Sequence, residues 1–255
     1  MALPYSIDTQ RPIQIGLVTL QSDETIERDF RALLPLDVEF LVSRLPSGAT
    51  VSLDSLRAME DSLTAAAGLM PVGAQLSAVG YGCTSASAAI GADRVAELIK
   101  AGVTVPHVSD PLTSLIAACK SAGITRIGLV SPYVASVSER LIQGLDAAGI
   151  TVASFGSFDE PSEERVVRID KASVRDAAIH VGRNAACDAV FMSCTNLRAL
   201  EVIEDIEAEL GIPALSSNQV LAWHLGQLGG FADRLNRIGC LFDVSPPTDP
   251  AVCVA

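Results

Sequence analysis

Two cysteines stand at matching points of a repeated pattern. The run Ala78-Val79-Gly80-Tyr81-Gly82-Cys83-Thr84 recurs as Ala189-Val190-Phe191-Met192-Ser193-Cys194-Thr195, and Ile15-Gly16-Leu17-Val18 recurs as Ile127-Gly128-Leu129-Val130. The offsets are 111 and 112, so register holds over half the chain and the pattern is an internal duplication. Each apolar run stops in Cys-Thr and is followed by a helix-like stretch. In an open parallel sheet, ligands bind beyond the carboxyl ends of the strands, where the next helix presents unpaired N–H groups. A lone cysteine after a strand is most often a small buried hydrophobe. Two at equivalent points of a duplicated fold read instead as a pair, one thiol on each side of a cleft between facing halves.

The chemistry such a pair suits is stereochemical. Removing a proton beside a carboxylate and returning one to the opposite face needs a base and an acid on opposite sides of a nearly planar intermediate. A thiol, with an ordinary pKa near ~8.5, serves either role once a helix N-terminus lowers that value. One of Cys83 and Cys194 is therefore expected as thiolate and the other as thiol. The N–H groups and side chains of Thr84, Ser85, Thr195 and Asn196 are placed to hold a carboxylate and the developing enediolate charge. These residue types are also favoured helix caps, and both readings can hold together. Tyr133, in Ser131-Pro132-Tyr133, and the loop Gln21-Ser22-Asp23-Glu24-Thr25 follow corresponding strands and should converge on the same cleft. The phenol would donate to a carboxylate or oxyanion, or else serve as a half-buried interface ring. Ser22 and Asp23 would orient a ligand, and Asp23 is equally a good helix cap.

These residues need elements that bring them together. Apolar spacing predicts strands at 15–18, 37–41, 75–81 and 103–108 in the first copy, and at 127–130, 151–155, 189–192 and 213–215 in the second. Helices are predicted at 24–34, 53–69, 87–102, 114–123, 137–149, 171–186, 200–210 and 218–229. This alternation implies right-handed crossovers and parallel sheets. The fold class is α/β, with two pseudo-symmetric lobes, each a four-stranded parallel sheet flanked by helices. The first lobe covers 13–110, with 217–250 packing back on it, and the second covers 111–216.

Composition narrows the functions. The chain has 255 residues, 49% of them apolar, enough to bury a full core. No apolar stretch approaches the ~20 residues of a membrane span, and residues 1–11 lack the basic start and apolar core of a signal peptide. The expectation is a cytoplasmic protein. A net charge of -12 without a basic cluster argues against nucleic acid as a partner. The six cysteines (Cys83, Cys119, Cys187, Cys194, Cys240, Cys253) show no Cys-x-x-Cys spacing, which argues against zinc. His107, His180 and His224 lack triad or ligand spacing and read as structural. Glu201, Glu204, Asp205, Glu207 and Glu209 read as a solvated helix face. No Gly-x-Gly-x-x-Gly or P-loop supports a nucleotide, so no cofactor is expected.

Taken in order, Ile15-Gly16-Leu17-Val18 with the Ser22-Asp23 loop, Tyr81-Gly82-Cys83, Val130-Ser131-Pro132-Tyr133, Ser193-Cys194, and Gly211-Ile212-Pro213 before Ser216-Ser217 resemble the aspartate/glutamate racemase superfamily. Within it they resemble the branch of maleate cis-trans isomerases and arylmalonate decarboxylases. The resemblance implies two α/β lobes, a cleft, cofactor-independent chemistry, catalytic Cys83 and Cys194, a carboxylate site at Thr84, Ser85 and Thr195, and a helping role for Tyr133. Decarboxylases of that branch keep glycine where Cys83 stands, so the presence of both cysteines favours a racemase or isomerase. Maleate isomerases usually carry asparagine where this chain has Asp23. An ionised Asp23 beside Glu24 would repel a second carboxylate and could pair with an ammonium or amidinium. The Ser22-to-Thr25 and Ser216-to-Gln219 segments also look like relatives associated with ectoine utilisation.

The expectation is thus a cofactor-independent racemase or isomerase of a small carboxylate, amino or ectoine-derived. Maleate cis-trans isomerisation and arylmalonate-type decarboxylation are the enzymatic alternatives. A carboxylate-binding sensor and a redox pair of cysteines are the others. A homo-oligomer, dimer or tetramer, is left open.

Overall fold

The computed structural model describes residues 1–183 and 186–243. Cys253 and the 244–250 part of the returning segment lie outside them. The first lobe comprises β1 (Ile13–Leu20), α1 (Ile26–Leu33), β2 (Val38–Leu45), α2 (Leu53–Ala58), α3 (Glu60–Ala67), β3 (Leu76–Gly82), α4 (Thr84–Ile90), α5 (Ala92–Gly102) and β4 (His107–Ser109). The second comprises α6 (Pro111–Ala122), β5 (Arg126–Ser131), α7 (Ala135–Ala147), β6 (Thr151–Ser157), α8 (Glu163–Val166), α9 (Lys171–Arg183), β7 (Ala189–Met192), α10 (Ile203–Leu210) and β8 (Ala214–Ser216). The helix α11 (Ser217–Gly229) follows.

The two sheets run β2-β1-β3-β4 and β6-β5-β7-β8, and every neighbouring pair is parallel. The shared order is the duplication seen in three dimensions. Helices cover both faces of such a sheet, which is why β1, β3, β5 and β7 are almost continuously apolar and buried. Local signals act where they stand. Asp110 caps α6 by accepting from the N–H groups of Leu112 (2.9 Å) and Thr113 (3.2 Å), with Pro111 in the first turn. Gly123, at φ 67°, ends it in the left-handed conformation.

Two predicted helices are broken. The 87–102 helix starts earlier, at Thr84, and splits at Gly91, whose φ of 100° no helix accommodates. The 53–69 helix divides at Met59. One turn, α8, falls where no element was expected.

Two core clusters form, the larger running from the first lobe into one side of the second and the smaller lying on the other side of the second, and α11 serves both. Leu221, Ala222 and Leu225 join the larger cluster, while Val220 and Trp223 join the smaller. The helix approaches β3 so closely that a Cβ on Gly80 would lie 2.9 Å from Leu225 Cδ1. Beyond α11, buried Phe231 and the bond from Asn236 N–H to Leu33 C=O (2.8 Å) hold the chain against the first lobe. Among the described residues, no helix is long and apolar enough to cross a membrane.

Candidate active site

The cleft between the lobes closes over a tight cavity, of only about 10 Å3, lined by Leu20, Asp23, Cys83, Thr84, Ser85, Tyr133, Glu163, Cys194, Thr195 and Asn196. Sequence reasoning anticipated all of these except Leu20 and Glu163. Ser22 does not line it: its hydroxyl pairs with Ser47 Oγ at 3.0 Å in the loop after β2. A wider concavity beside α5, lined in part by Asp93, Glu97, Lys100 and His107, holds neither cysteine. Chemistry rather than size therefore selects the interlobe cavity.

The floor is laid by strand ends. Cys83 follows β3 and caps α4, its backbone extended at φ -154° and its Sγ accepting from Ala86 N–H at 3.4 Å. Thr84 and Ser85 open α4, so their N–H groups belong to a first turn that has no intrahelical acceptors. Cys194 departs from the expected symmetry. It follows β7 at φ 123°, a region that disfavours any side chain, and the chain continues through turns to Leu200 instead of entering a helix. Its N–H donates to Ser217 Oγ (3.0 Å), which pairs in turn with Thr84 Oγ1 (2.8 Å). The start of α11 thus ties the two cysteine segments to each other. Thr195 Oγ1 donates to Gly82 C=O across the same boundary at 3.2 Å.

The roof comes from the loops after β2 and β6. Val51 N–H donates to Pro161 C=O (3.0 Å) and Glu163 N–H to Ala49 C=O (3.2 Å), around an antiparallel bridge between Thr50 and Ser162. This contact seats Glu163, 4% exposed, at the head of α8. Its Oε1 accepts from Tyr133 Oη at 2.7 Å, and its Oε2 accepts from Asn196 Nδ2 at 2.9 Å. Tyr133 Oη also lies 3.0 Å from Cys194 Sγ. The phenol is therefore engaged by a carboxyl and a thiol. Asn196 is likewise spent on bracing, its Oδ1 accepting from Glu24 N–H at 2.9 Å.

Asp23 acts as the cap that the sequence allowed. Oδ1 accepts from the N–H groups of Thr25 and Ile26, both at 2.8 Å. The Thr195 hydroxyl gives its hydrogen bond to Gly82, which leaves buried Asp23 Oδ2 without a partner.

The electrostatics correct one expectation. Burial pushes the Cys83 thiol up to about 12, and burial likewise drives Cys194 well above its ordinary value, with the nearby Glu163 carboxylate adding to it. Neither thiol is lowered by a helix end, because a dry site costs an anion more than the local N–H groups return. Burial also raises Asp23 and Glu163, against the hydrogen bonds that each accepts. No lysine, arginine or histidine lines the cavity. Among the described residues, no group of three His, Cys, Asp or Glu side chains is arranged to hold a metal ion.

Outside the cavity, His224 is buried with Nδ1 at 2.7 Å from Ser109 Oγ, and burial lowers it to about 4, in keeping with a structural role. The acidic face on α10 and its approach is only partly solvated. Glu201 pairs with Arg28 and Lys171, while Glu207 accepts from the N–H groups of Ala214 (3.1 Å) and Cys240 (3.0 Å).

Two α/β lobes of one topology, closing on a small cavity with a cysteine from each, define a class of duplicated two-lobe proteins. Residues 16–242 match the arylmalonate decarboxylase family model, and the chain belongs to that family. A segment of 84 residues is 33% identical to an arylmalonate decarboxylase of Bordetella bronchiseptica. That match spans 32% of this chain and 35% of the length of that protein. Among solved structures, a liganded double mutant of arylmalonate decarboxylase is similar at 26% identity and a TM-score of 0.81, over 91% of this chain and 100% of the other. A Nocardia farcinica maleate cis-trans isomerase mutant with a covalently bound succinylcysteine intermediate shares the fold at 24% identity and a TM-score of 0.81, covering 90% and 98%. So does a cysteine-to-alanine mutant of the Pseudomonas putida S16 maleate isomerase with maleate, at 19% and 0.80, covering 91% and 98%.

Proposed function

We propose that this protein is a cofactor-independent racemase or epimerase of a small amino- or imino-carboxylate, worked by Cys83 and Cys194 from opposite faces. The observation that carries this reading is that one cysteine from each duplicated lobe lines the same closed cavity. One thiolate removes the Cα proton, the carboxylate takes up the electron pair as an enediolate, and the other thiol returns a proton to the opposite face. Thr84, Ser85 and Thr195 would hold the carboxylate through backbone N–H groups, with the Ser85 hydroxyl beside them, the hydroxyls of Thr84 and Thr195 being paired with Ser217 and Gly82.

The lining supports a nitrogen-bearing substrate. Asp23 and Glu163 are both acids, no cation lines the cavity with them (Arg44 reaches Asp23 only from outside it), and Asp23 Oδ2 lacks a partner. A second substrate carboxylate would add charge to a site that already resists it, whereas an ammonium or amidinium would take up the free Oδ2.

A second reading, maleate-type isomerisation by thiolate addition to an alkene, draws support from the likeness to maleate isomerases. Proton NMR in heavy water separates the two. Aspartate, glutamate, maleate, phenylmalonate, ectoine and its ring-opened derivatives would be incubated with the protein. Loss of a Cα–H signal is the expected result, and fumarate from maleate or carbon dioxide from phenylmalonate without such a loss would overturn it.

A further inference from the structure

We propose that Glu163 is the proton acceptor that turns Cys194 into a thiolate, acting through Tyr133. Cys194 Sγ, Tyr133 Oη and Glu163 Oε1 form a continuous line, with steps of 3.0 and 2.7 Å, all of it buried. Tyr133 has one proton and two neighbours that can accept it. In one arrangement it donates to the Glu163 carboxylate while Cys194 S–H donates to the phenol oxygen. In the other, the Cys194 proton has moved to Tyr133 Oη as the Tyr133 proton moved to Glu163 Oε1. The products are a Cys194 thiolate, a neutral tyrosine and a neutral carboxylic acid. One negative charge stays within the trio, and no proton is exchanged with solvent.

The geometry fixes which oxygen receives the proton. Asn196 Nδ2 only donates, and it occupies Oε2, so the proton belongs on Oε1, the oxygen that faces Tyr133. The shift also resolves a conflict of charges. A Glu163 carboxylate and a Cys194 thiolate together would set two anions close to each other in a site without a facing cation. Burial raises both groups, so a single shared charge is the state that the site tolerates. The remaining ionisable groups against the trio are Asp23, from the loop after β1, and Cys83, after β3. Cys83 has no such line: its Sγ meets only backbone N–H groups of α4. The two cysteines are thus inequivalent before any substrate binds.

The use of this thiolate in turnover rests on the two-cysteine reading, but the proton shift does not, and the test reads the thiol alone. Cys83 and Cys194 would be alkylated with iodoacetamide from pH 6 to 9 and their rates followed separately by peptide mass spectrometry. In the unaltered protein, Cys194 should react faster than Cys83, and its rate should change little with pH, because the shared proton is not traded with solvent. A Cys194 rate rising roughly tenfold per pH unit over that range, as for a simple thiol, would overturn the proposal without any variant.

Glu163→Gln keeps the shape and removes the acceptor. The Cys194 rate at pH 7 should fall about tenfold or more, and a simple thiol profile should appear. If Glu163 were only a nearby charge, its removal would make Cys194 more acidic and faster, the opposite sign. Tyr133→Phe should give the same loss, and the double variant should add nothing further. Independent, additive losses would contradict the line. A protein whose alkylation behaves as described while Cys83→Ser retains normal turnover would keep this proposal and lose the two-base mechanism.

Discussion

The two cysteine segments began as copies and are now built differently. Cys83 stands on regular structure: an extended residue after β3, capping α4, its carbonyl accepting from Ser87 Oγ at 2.7 Å. Cys194 stands at φ 123° on a turn, held by Ser217, Asn196 and Tyr133. Two of those three supports come from outside its own strand-turn unit, and one of them, Ser217, opens α11, the helix that follows β8 as α6 follows β4. Duplication supplied two thiols at equivalent places, and later packing gave them unequal surroundings. On the proposed two-cysteine mechanism, that inequality would let one cleft hold an acid and a base of the same residue type.

The largest effect should come from the thiols themselves. Cys83→Ser and Cys194→Ser should each lower turnover by about 10²–10⁴-fold, measured as steady-state rate on whichever compound exchanges its Cα proton. Equal and severe losses would confirm that both walls are needed, and near-normal turnover in either variant would reduce the pair to one working residue.

A smaller contrast probes the supports. Ser217→Ala removes the acceptor of the buried Cys194 N–H and the partner of Thr84, and should cost about 1–3 kcal/mol in urea unfolding. Ser87→Ala should cost less, about 0.5–1.5 kcal/mol, because Ser87 N–H still donates to the Cys83 carbonyl. The reverse order would mean that the regular segment is the more dependent one.

The mildest test lies behind Cys194. Asp29 is buried and accepts from Asn218 Nδ2 at 2.8 Å, and the same amide group donates to Thr195 C=O at 2.8 Å. Burial raises Asp29 to about 7, from 3.8. The folded state therefore binds this proton more tightly than the unfolded one. Its contribution is complete below pH 4 and declines as pH rises toward 7. Asp29→Asn should leave stability near pH 4 unchanged within about 1 kcal/mol and raise it at pH 8, flattening the pH dependence of the urea midpoint. A variant no more stable than the parent at pH 8 would show that the buried carboxylate is accommodated.

Much of this arrangement was legible in the residues. Strands buried on both faces must be apolar throughout, so 15–18, 127–130 and 189–192 stood out, and their repetition exposed Cys83 and Cys194. Asp23 was readable as a cap because its neighbours begin a helical period. Glu163 was missed, because it sits in Asp159-Glu160-Pro161-Ser162-Glu163-Glu164, a stretch with the composition of a solvated loop. Only contacts distant in sequence, with Ala49, Tyr133 and Asn196, separate it from its acidic neighbours. The rule that loops after corresponding strands converge was applied to β1 and β5, and extending it to β6 would have pointed to this segment. The turn after Cys194 was hidden for a related reason. Its conformation is imposed by Ser217, 23 residues on.

The central claim, proton transfer by a cysteine on each face, is tested most directly by following one pure enantiomer of an exchanging amino-carboxylate in heavy water. Proton NMR would track Cα–H, and a chiral assay would track the product. The account predicts that the opposite enantiomer forms carrying solvent deuterium at Cα, and that Cys83→Ser and Cys194→Ser each abolish its formation. Product that retains the original Cα proton, or a single-cysteine variant that racemises at the parent rate, would contradict it.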